Sequence, residues 1–488
     1  MDTHRRRLLA LAGPVYLQLL AGVVAGIVDV LWVTSLGASA VAAVAAATTV
    51  EAVLLGVILM TAQGTTVRTA AAMGAGDGAA IRGALRGGLL LFALLTPAVA
   101  GGGWLLREPL AELLLGGSGA RATELATGYF AIALPGIVVF YGQWFVDGIL
   151  KGTGDTRTPM HLALLANALI LVLDPLLIFG RLGLPELGIQ GAALATVLGR
   201  VPPLLLGLLA LRRSTALRSV RGDRADGPAR ASVYAEMLRT VRIGLPMSSD
   251  FLIRMAGSLG LVVVVARLGV VEAAGYGIAL KAMYVATMGF YAVRQAASIH
   301  TAHTLGAGRD ERRAVGRQAV VVSLLFGLVC GLALLAAAPW VMRLFGAEAD
   351  VADAGALMLR CVTPYLLVLA CFIALGGVFE GSGRAGPMAG VTAAGTVVLL
   401  PLAAWLTPLG LPGICAAMAL STGLQYGVVE WLFRRALPRG QVVTGAVETG
   451  AAETGSGVAG SAVATSAVAG GRYRWMRHMD ATRRKTHA

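Results

Sequence analysis

Long apolar stretches separated by short polar segments recur along most of the chain. A helix that crosses a bilayer needs roughly 20 predominantly apolar residues. Twelve stretches meet this requirement, at residues 10–34, 43–67, 86–106, 126–150, 160–180, 188–211, 241–266, 274–299, 317–341, 355–379, 387–408 and 412–433. The pattern therefore predicts an all-α polytopic membrane protein with twelve transmembrane helices.

Composition and charge agree with this prediction. Of the 488 residues, 57% are hydrophobic and only 14% are charged, which is too apolar for a water-soluble domain. The net charge of +14 could indicate a nucleic-acid partner. The arginines, however, lie mainly between alternate helices, as the positive-inside rule requires of cytosolic loops. We therefore expect no nucleic-acid partner, and we expect both termini to lie in the cytosol.

The chain contains an internal repeat. The segment MGAGD at Gly74 matches LGAGR at Gly306, and we call this alignment of the two halves the first register. After a small deletion, KGTGDTRTP at Gly152 matches EGSGRAGP at Gly381, which defines the second register. The repeat predicts two pseudo-symmetric six-helix lobes of the same orientation, related by an axis along the membrane normal. Such paired bundles favour a transporter that works by alternating access over a receptor or a membrane enzyme.

This organisation divides the chain into four predicted parts. An N-terminal lobe for cation coupling covers residues 1–211, and a basic cytosolic linker covers 212–240. The C-terminal lobe follows at 241–438, and a low-complexity tail at 439–488 is expected to be disordered in the cytosol.

Two acids interrupt the apolar helices of the first half. Asp29 lies in the first predicted span and Asp174 in the fifth. A carboxylate at the bilayer centre costs on the order of 2.5–3.5 kcal/mol, so each acid must be protonated or paired. The matching residues of the second half are Leu261 and approximately Leu400, so the fold does not require an acid there. We predict that both acids serve function, with a neutralised structural acid as the alternative.

Further polar residues accompany these acids. Asn167 precedes Asp174 by two helical turns, which places both on one face. Together with Asp29 they could form an oxygen-lined pocket for a proton or Na+. No other metal and no cofactor are expected, because the four cysteines lie in predicted helices without a C-x-x-C motif.

The second half has its own candidates for a substrate cavity, which are Asp250, Arg254, Lys281, Met283, Tyr284 and Met288. Asp250 and Arg254 are four positions apart, so they can form an ion pair that helps the helix to insert. Alternatively, Arg254 and Lys281 contact an anionic substrate or act as a gate. The methionines and Tyr284 suit a pocket of variable shape, although helix packing explains them equally well.

These motifs resemble the multidrug and toxic compound extrusion (MATE) family, most closely its bacterial DinF-type branch. The resemblance rests on AQGTTVRTAAAMGAGD, LKGTGDTRTPMHLALLANALILVLDPLLIFG and LGIQGAALAT, and it covers residues 1–438. It implies two V-shaped lobes in the bacterial inner membrane. It also implies export of amphipathic drugs or secondary metabolites against an inward flow of H+ or Na+.

The resemblance implies roles for individual residues. Asp29 and Asp174 would be the coupling acids, Asn167 and Thr196 their polar neighbours, and Tyr129 a further candidate. Two departures from the family pattern matter. Ile170 replaces a second asparagine, and Arg254 replaces the glutamate of members with a coupling acid in the second lobe. With this reduced ligand set, H+ is favoured over Na+.

The leading hypothesis is a monomeric antiporter, not an enzyme, whose partners are a small amphipathic substrate and the lipid bilayer. Protonation of Asp29 and Asp174 would repack the first helix near Pro14, which is either a hinge or an ordinary kink. The alternative is a flippase for lipid-linked sugars, which would need a strongly cationic central cavity. A membrane transferase or hydrolase would need clustered histidines, serines or paired carboxylates, and the sequence contains no such cluster.

Overall fold

The computed structural model describes residues 3–117, 119–183, 185–214, 216–217, 232–346 and 348–436. These ranges contain fourteen α-helices, which are α1 (Thr3–Thr34), α2 (Ala38–Ala75), α3 (Gly78–Leu105), α4 (Arg107–Leu115), α5 (Ala120–Gly152), α6 (Arg157–Ile178), α7 (Ile189–Arg213), α8 (Val233–Ala266), α9 (Val270–Gly306), α10 (Arg312–Leu344), α11 (Ala349–Cys361), α12 (Thr363–Gly381), α13 (Gly386–Trp405) and α14 (Gly410–Ala436). The predicted all-α membrane fold with two lobes is confirmed.

Eleven helices of the described chain are long and apolar enough to span a membrane. The remaining predicted span, 274–299, lies in α9, which has 37 residues but carries Glu272, Lys281 and Arg294. Protein surrounds much of this helix, because α9 packs against α1 and α2 of the first lobe and against α10 and α12 of the second. Polar side chains in a spanning helix are tolerated where they face such a protein interior.

The helix boundaries repeat in the two registers that the sequence predicts. The first register pairs the first residue of α2 with the first residue of α9, and the second register does the same for α6 and α13. Extending the second register along α6 pairs Asp174 with Ala403, and both residues have no exposed surface. The equivalent of Asp174 is therefore Ala403, which corrects the approximate match with Leu400.

Each half interrupts a helix that the other half keeps continuous. The predicted span 355–379 is divided at Val362 between α11 and α12, immediately before the Thr363-Pro364 pair. A proline cannot donate a backbone hydrogen bond and disfavours helical geometry in the residue before it. The matching Pro135 nevertheless lies inside an unbroken α5. Conversely, the short helix α4 follows a break at Leu106, whereas its counterpart is the uninterrupted end of α10.

The glycine-aspartate motifs form turns at one end of the bundle. This end, called the basic end, holds the start of α1 and the α2–α3 and α5–α6 connections. Gly76 ends α2 in the left-handed conformation, and Asp77 accepts two backbone N–H bonds of α3 at 2.8 and 3.0 Å. Gly154 (φ 91°) and Asp155 repeat this arrangement before α6. Asp77 is the N-cap of α3, and Asp155, one residue before the N-cap Thr156, accepts N–H bonds of the first turn of α6 in the same way.

The two lobes meet at the basic end through close backbone contact between α2 and α9. A methyl group at Gly74 would overlap the backbone of His303, and a methyl group at Gly306 would overlap the backbone of Ala71. The first register relates these two contacts to each other, so the crossing lies on the pseudo-twofold axis. The helices approach this closely because both crossing positions lack a Cβ atom.

Two of the predicted parts fall largely outside the described residues. These are the linker 212–240, of which 215 and 218–231 are not described, and the whole tail 439–488. α8 begins at Val233, so residues 233–240 are helical. The division into four parts stays a prediction.

The glycine crossing can be tested by adding one methyl group. We expect Gly306→Ala to lower the apparent melting temperature in detergent, because overpacking of a tight contact costs about 1–3 kcal/mol. Gly277→Ala is the matched control in the same helix, since nothing lies within 4 Å of the added carbon. Helix propensity should make that control neutral or stabilising. Equal melting temperatures for the two variants would contradict the close crossing.

Candidate functional site

Asp29 lies in α1, in the last two turns before the helix ends at Thr34 and far from the basic end. Its side chain is partly buried, and its Oδ1 atom has no hydrogen-bond partner among the described residues. A buried carboxylate oxygen without a partner is costly. Asp29 is therefore placed as the sequence predicts, inside the membrane part of the first lobe and without a counter-charge bonded to it.

Asp174 lies in α6 and is fully buried. Neither of its carboxylate oxygens has a hydrogen-bond partner in the described part of the chain. α1 packs against α6, and the charges of Asp29 and Asp174 interact electrostatically. The structure thus brings together the two acids that the sequence singled out.

A third acid belongs to the same group, and the sequence analysis missed it. The hydroxyl of Tyr129 donates a hydrogen bond to Oε1 of Glu51 at 3.1 Å. Glu51 lies in α2, and its charge also interacts with that of Asp29. The signal was available, because Glu51 lies within a predicted span and its repeat counterpart is the uncharged Met283. The comparison that selected Asp29 would also have selected Glu51.

Thr196 and Arg200 lie one turn apart on α7 and complete this group. Both line a cavity of about 50 Å³ together with Glu51 and Tyr129. The guanidinium of Arg200 lies over the ring of Phe140, 4.6 Å from its centroid. The sequence analysis also missed Arg200, although an arginine inside a predicted span is as unusual as an acid. We call Asp29, Glu51, Tyr129, Asp174 and Arg200 the N-lobe cluster.

Asn167 is not brought into the N-lobe cluster. The buried face of α6 consists of residues at successive helical turns, which are Leu162, Ala166, Ile170 and Asp174. Asn167 lies beside this face and is only partly buried, whereas Asp174 lies on it and is fully buried. The two-turn spacing therefore gives a shared side of the helix but no shared pocket.

In contrast to the first lobe, the second lobe pairs its buried charges. Asp250 accepts hydrogen bonds from Arg254 and, at 2.6 Å, from Arg294. The hydroxyl of Thr392 donates to the other oxygen of Asp250 at 2.5 Å. Arg294 also donates to Glu380 at 2.5 and 2.9 Å. The predicted Asp250–Arg254 ion pair is present, within a neutral network of two acids and two arginines.

The other cavity candidates of the second lobe do not form one surface. Met283 is only 4% exposed and belongs to the hydrophobic core of that lobe, so it packs between helices instead of lining a pocket. Met288 is partly buried, whereas Lys281 and Tyr284 are exposed. A role for these residues in substrate binding stays a prediction.

Among the polar contacts that join the lobes at the basic end, two lie at matched positions of the repeat. Arg68 of α2 forms an ion pair with Glu236 of α8 and donates to its carbonyl oxygen at 2.7 Å. Nδ1 of His4 in α1 lies 3.0 Å from Nε2 of His300 in α9. The first register relates His4 to Glu236 and Arg68 to His300. The two contacts are therefore equivalent positions with different chemistry, an ion pair and a histidine pair.

The predicted hinge, Pro14, lies within α1 between His4 and Asp29. α1 continues through this proline without a break, although Pro14 cannot donate a hydrogen bond to the preceding turn. One helix therefore connects the histidine pair at the basic end with an acid of the N-lobe cluster.

The repeated, apolar helices of the described chain define a multi-pass membrane protein built from two related lobes. A family model described as MatE matches residues 14–176 and 246–405, one match in each lobe. The chain belongs to this MatE family, whose members are transporters and not enzymes.

Individual relatives agree with this assignment. The chain is 27% identical over 262 residues to the probable multidrug resistance protein NorM of Thermotoga maritima, covering 53% of this chain and 55% of that protein. It is 29% identical over 324 residues to the DNA damage-inducible protein F of Escherichia coli, covering 62% and 65%. The matches thus span about half to two thirds of the length of these relatives.

The fold also matches a solved structure of a multidrug resistance MATE family transporter of the MOP superfamily in an outward-facing conformation. The TM-score is 0.80 over 89% of this chain and 96% of that chain, at 22% sequence identity. At this identity the likeness establishes the shared fold.

The different pairing of buried acids predicts opposite effects of one substitution in the two lobes. Asp29→Leu replaces an unpaired acid by the residue of its repeat counterpart, Leu261, and should raise the free energy of unfolding by about 1–3 kcal/mol. Asp250→Leu removes the carboxylate that two arginines share and should lower it by about 3–5 kcal/mol. Apparent melting temperatures in detergent test both. A loss for Asp29→Leu as large as that for Asp250→Leu would identify Asp29 as a structural acid.

Proposed function

We propose that this protein exports small amphipathic compounds, drugs or secondary metabolites, in exchange for a small cation, with H+ preferred over Na+. The observation that carries the proposal is the pair of acids Asp29 and Asp174, which lie on the packed helices α1 and α6 and are bonded to no cation among the described residues. Two neighbouring carboxylates in a medium of low dielectric repel each other and are poorly solvated. Binding of a cation removes this cost, and release of the cation restores it, so the acids can drive a conformational cycle.

The packing of α1 supports alternating access as the mechanism. α1 contacts α6 of its own lobe and α9 of the other lobe. A change of charge at Asp29 alters the packing of α1 against α6, and Pro14 provides a weak point at which the helix can bend. The bend would reach the basic end at His4, where the lobes touch. Loading the acids is thereby coupled to opening or closing that end.

We infer the membrane location from the distribution of charge and the substrate class from the relatives of the protein. We place the protein as a monomer in a bacterial inner membrane with the basic end in the cytosol, because arginines concentrate there. Drug-like substrates are supported by the multidrug resistance proteins among its relatives. The deformable and aromatic residues Tyr284 and Met288 offer contact surface for such compounds.

The pairing of the second-lobe arginines disfavours the flippase alternative. A pyrophosphate-linked substrate needs several unpaired cations in the central cavity. Arg254 and Arg294 are both engaged by Asp250, and Arg294 also by Glu380. Their charges are therefore already balanced by acids of the same lobe.

Transport in proteoliposomes tests the coupling role of Asp29. With a pH gradient as the only driving force, Asp29→Asn should reduce the accumulation of a cationic dye at least about tenfold, because the amide cannot exchange a proton. Asp353→Asn is the control, since Asp353 is an exposed acid of α11. Accumulation by Asp29→Asn equal to that of the parent would refute the proposal.

The repeat suggests a second test, at the contact between the lobes. The double substitution of His4→Glu and His300→Arg copies the Arg68–Glu236 ion pair onto the other side of the pseudo-axis. An added ion pair of about 0.5–1.5 kcal/mol should favour the closed basic end and slow transport about 2- to 10-fold. Initial transport rates measure the effect, and each single substitution should slow transport less than the pair. A double variant as fast as the parent would argue against a gate at this contact.

A further inference from the structure

The N-lobe cluster contains a permanent positive charge that the proposed cycle does not use. Arg200 lines the same cavity as Glu51 and Tyr129. Its guanidinium is held over the ring of Phe140, and its Nε atom has no hydrogen-bond partner among the described residues. An arginine in a protein does not lose its proton, so this charge is present in every state of the transport cycle.

The formal charges of the N-lobe cluster do not cancel. Three acids, Asp29, Glu51 and Asp174, face a single arginine. Arg200 lines the same cavity as Glu51 and interacts with it most strongly. It also interacts with Asp147, but the nearer counter-charge of that acid is Lys151, so Asp147 is left out of the count. One of the three acids is therefore compensated from within the protein, which leaves two negative charges for exchangeable cations. The network around Asp250 leaves none, because its two acids face two arginines.

We infer that Arg200 is a tethered cation that excludes Na+ from the N-lobe cluster and thereby makes the protein selective for protons. The inference rests on the proposed function, which identifies the exchange site and prefers H+ without naming what rejects Na+. The rejection of Na+ is thereby assigned to the side chain of Arg200.

The first reason is the oxygen shell that a hard cation needs. Such a cation must replace its water by several protein oxygens at once, whereas a proton forms a covalent bond with a single carboxyl oxygen. Glu51 already accepts a hydrogen bond from Tyr129 and faces Arg200. Ile170 supplies no oxygen on the buried face of α6. As long as Arg200 faces Glu51, the carboxylate of Glu51 is not free to complete an oxygen shell around Na+.

The second reason is the small volume of the cavity combined with the positive charge of Arg200. The cavity of about 50 Å³ holds no more than a few water molecules, and the guanidinium occupies its wall. Two like charges about 6 Å apart at an effective dielectric of about 20 weaken binding roughly a hundredfold. A proton experiences the same repulsion, but it needs neither the empty volume nor the oxygen shell. Arg200 therefore acts more strongly against Na+ than against H+.

Removing the charge should create a Na+ site. Arg200→Met keeps the length and apolar stem of the side chain and leaves three acids uncompensated. We expect purified Arg200→Met protein to bind radioactive sodium saturably and at least about tenfold more tightly than the parent, with choline as the competing salt. Arg200→Lys keeps the charge and should bind like the parent. Adding Asp29→Asn to Arg200→Met should abolish the gained binding.

Each outcome decides the inference. Saturable Na+ binding by the parent at the affinity of Arg200→Met overturns it, and so does a folded Arg200→Met protein that gains no binding. If Arg200→Met does not fold, transport by the parent decides: accumulation driven by a sodium gradient at equal pH refutes exclusion of Na+, and its absence upholds it. Such a result leaves cation-coupled export intact. Export itself fails only if Asp29→Asn transports as well as the parent.

Discussion

A charge buried in a membrane must be paired, neutralised or exchanged, and the two lobes of this protein differ in which they do. In the second lobe, Asp250 is bonded to Arg254 and Arg294, so its charge contributes to a fixed structure. In the first lobe, Asp29 and Asp174 interact with each other and are bonded to no cation among the described residues. The buried charges of the second lobe are thus balanced by ion pairs, whereas those of the first lobe are not. On the proposed mechanism, the unbalanced lobe changes its packing, and the balanced lobe provides the rigid surface against which it moves.

The contacts between the lobes show how such a movement can be confined to one end. Gly74 and Gly306 let α2 and α9 cross in direct backbone contact on the pseudo-axis, which fixes a pivot. The polar contacts at His4 and Glu236 lie away from that pivot, on α1 and α8, the first helix of each lobe. Because α1 also carries Asp29, a cation bound at that acid would, on the proposed mechanism, act on a contact at the basic end. Packed elements respond to small shifts by changing between discrete arrangements, which suits a two-state gate.

The sequence predicted the site residues that stand out singly against an apolar background. It did not predict interactions that depend on a partner far away in the chain. Asp29 and Asp174 stand out because any acid in a spanning helix is unusual and their repeat counterparts are apolar. The pairing of Arg294 with Glu380 could not be read, since the two are far apart in the chain and only the fold joins α9 to α12. The break at Val362 was missed because hydropathy records apolar continuity, whereas a helix depends on its hydrogen-bond ladder. Glu51 and Arg200 are also charged residues inside predicted spans, so the comparison with an apolar background that identifies Asp29 identifies them too.

A duplicated chain provides its own comparison, because matched positions began as the same residue and occupy the same place in each lobe. The crossing glycines, Gly74 and Gly306, are identical in both halves, as expected where each copy needs the other to lack a side chain. The contact beside them has diverged from a common position into Arg68–Glu236 on one side and His4–His300 on the other. At this crossing the glycines that set the geometry are alike in both halves, whereas the polar residues beside them differ. The proposed transport cycle is asymmetric and depends on differences of this kind between the lobes.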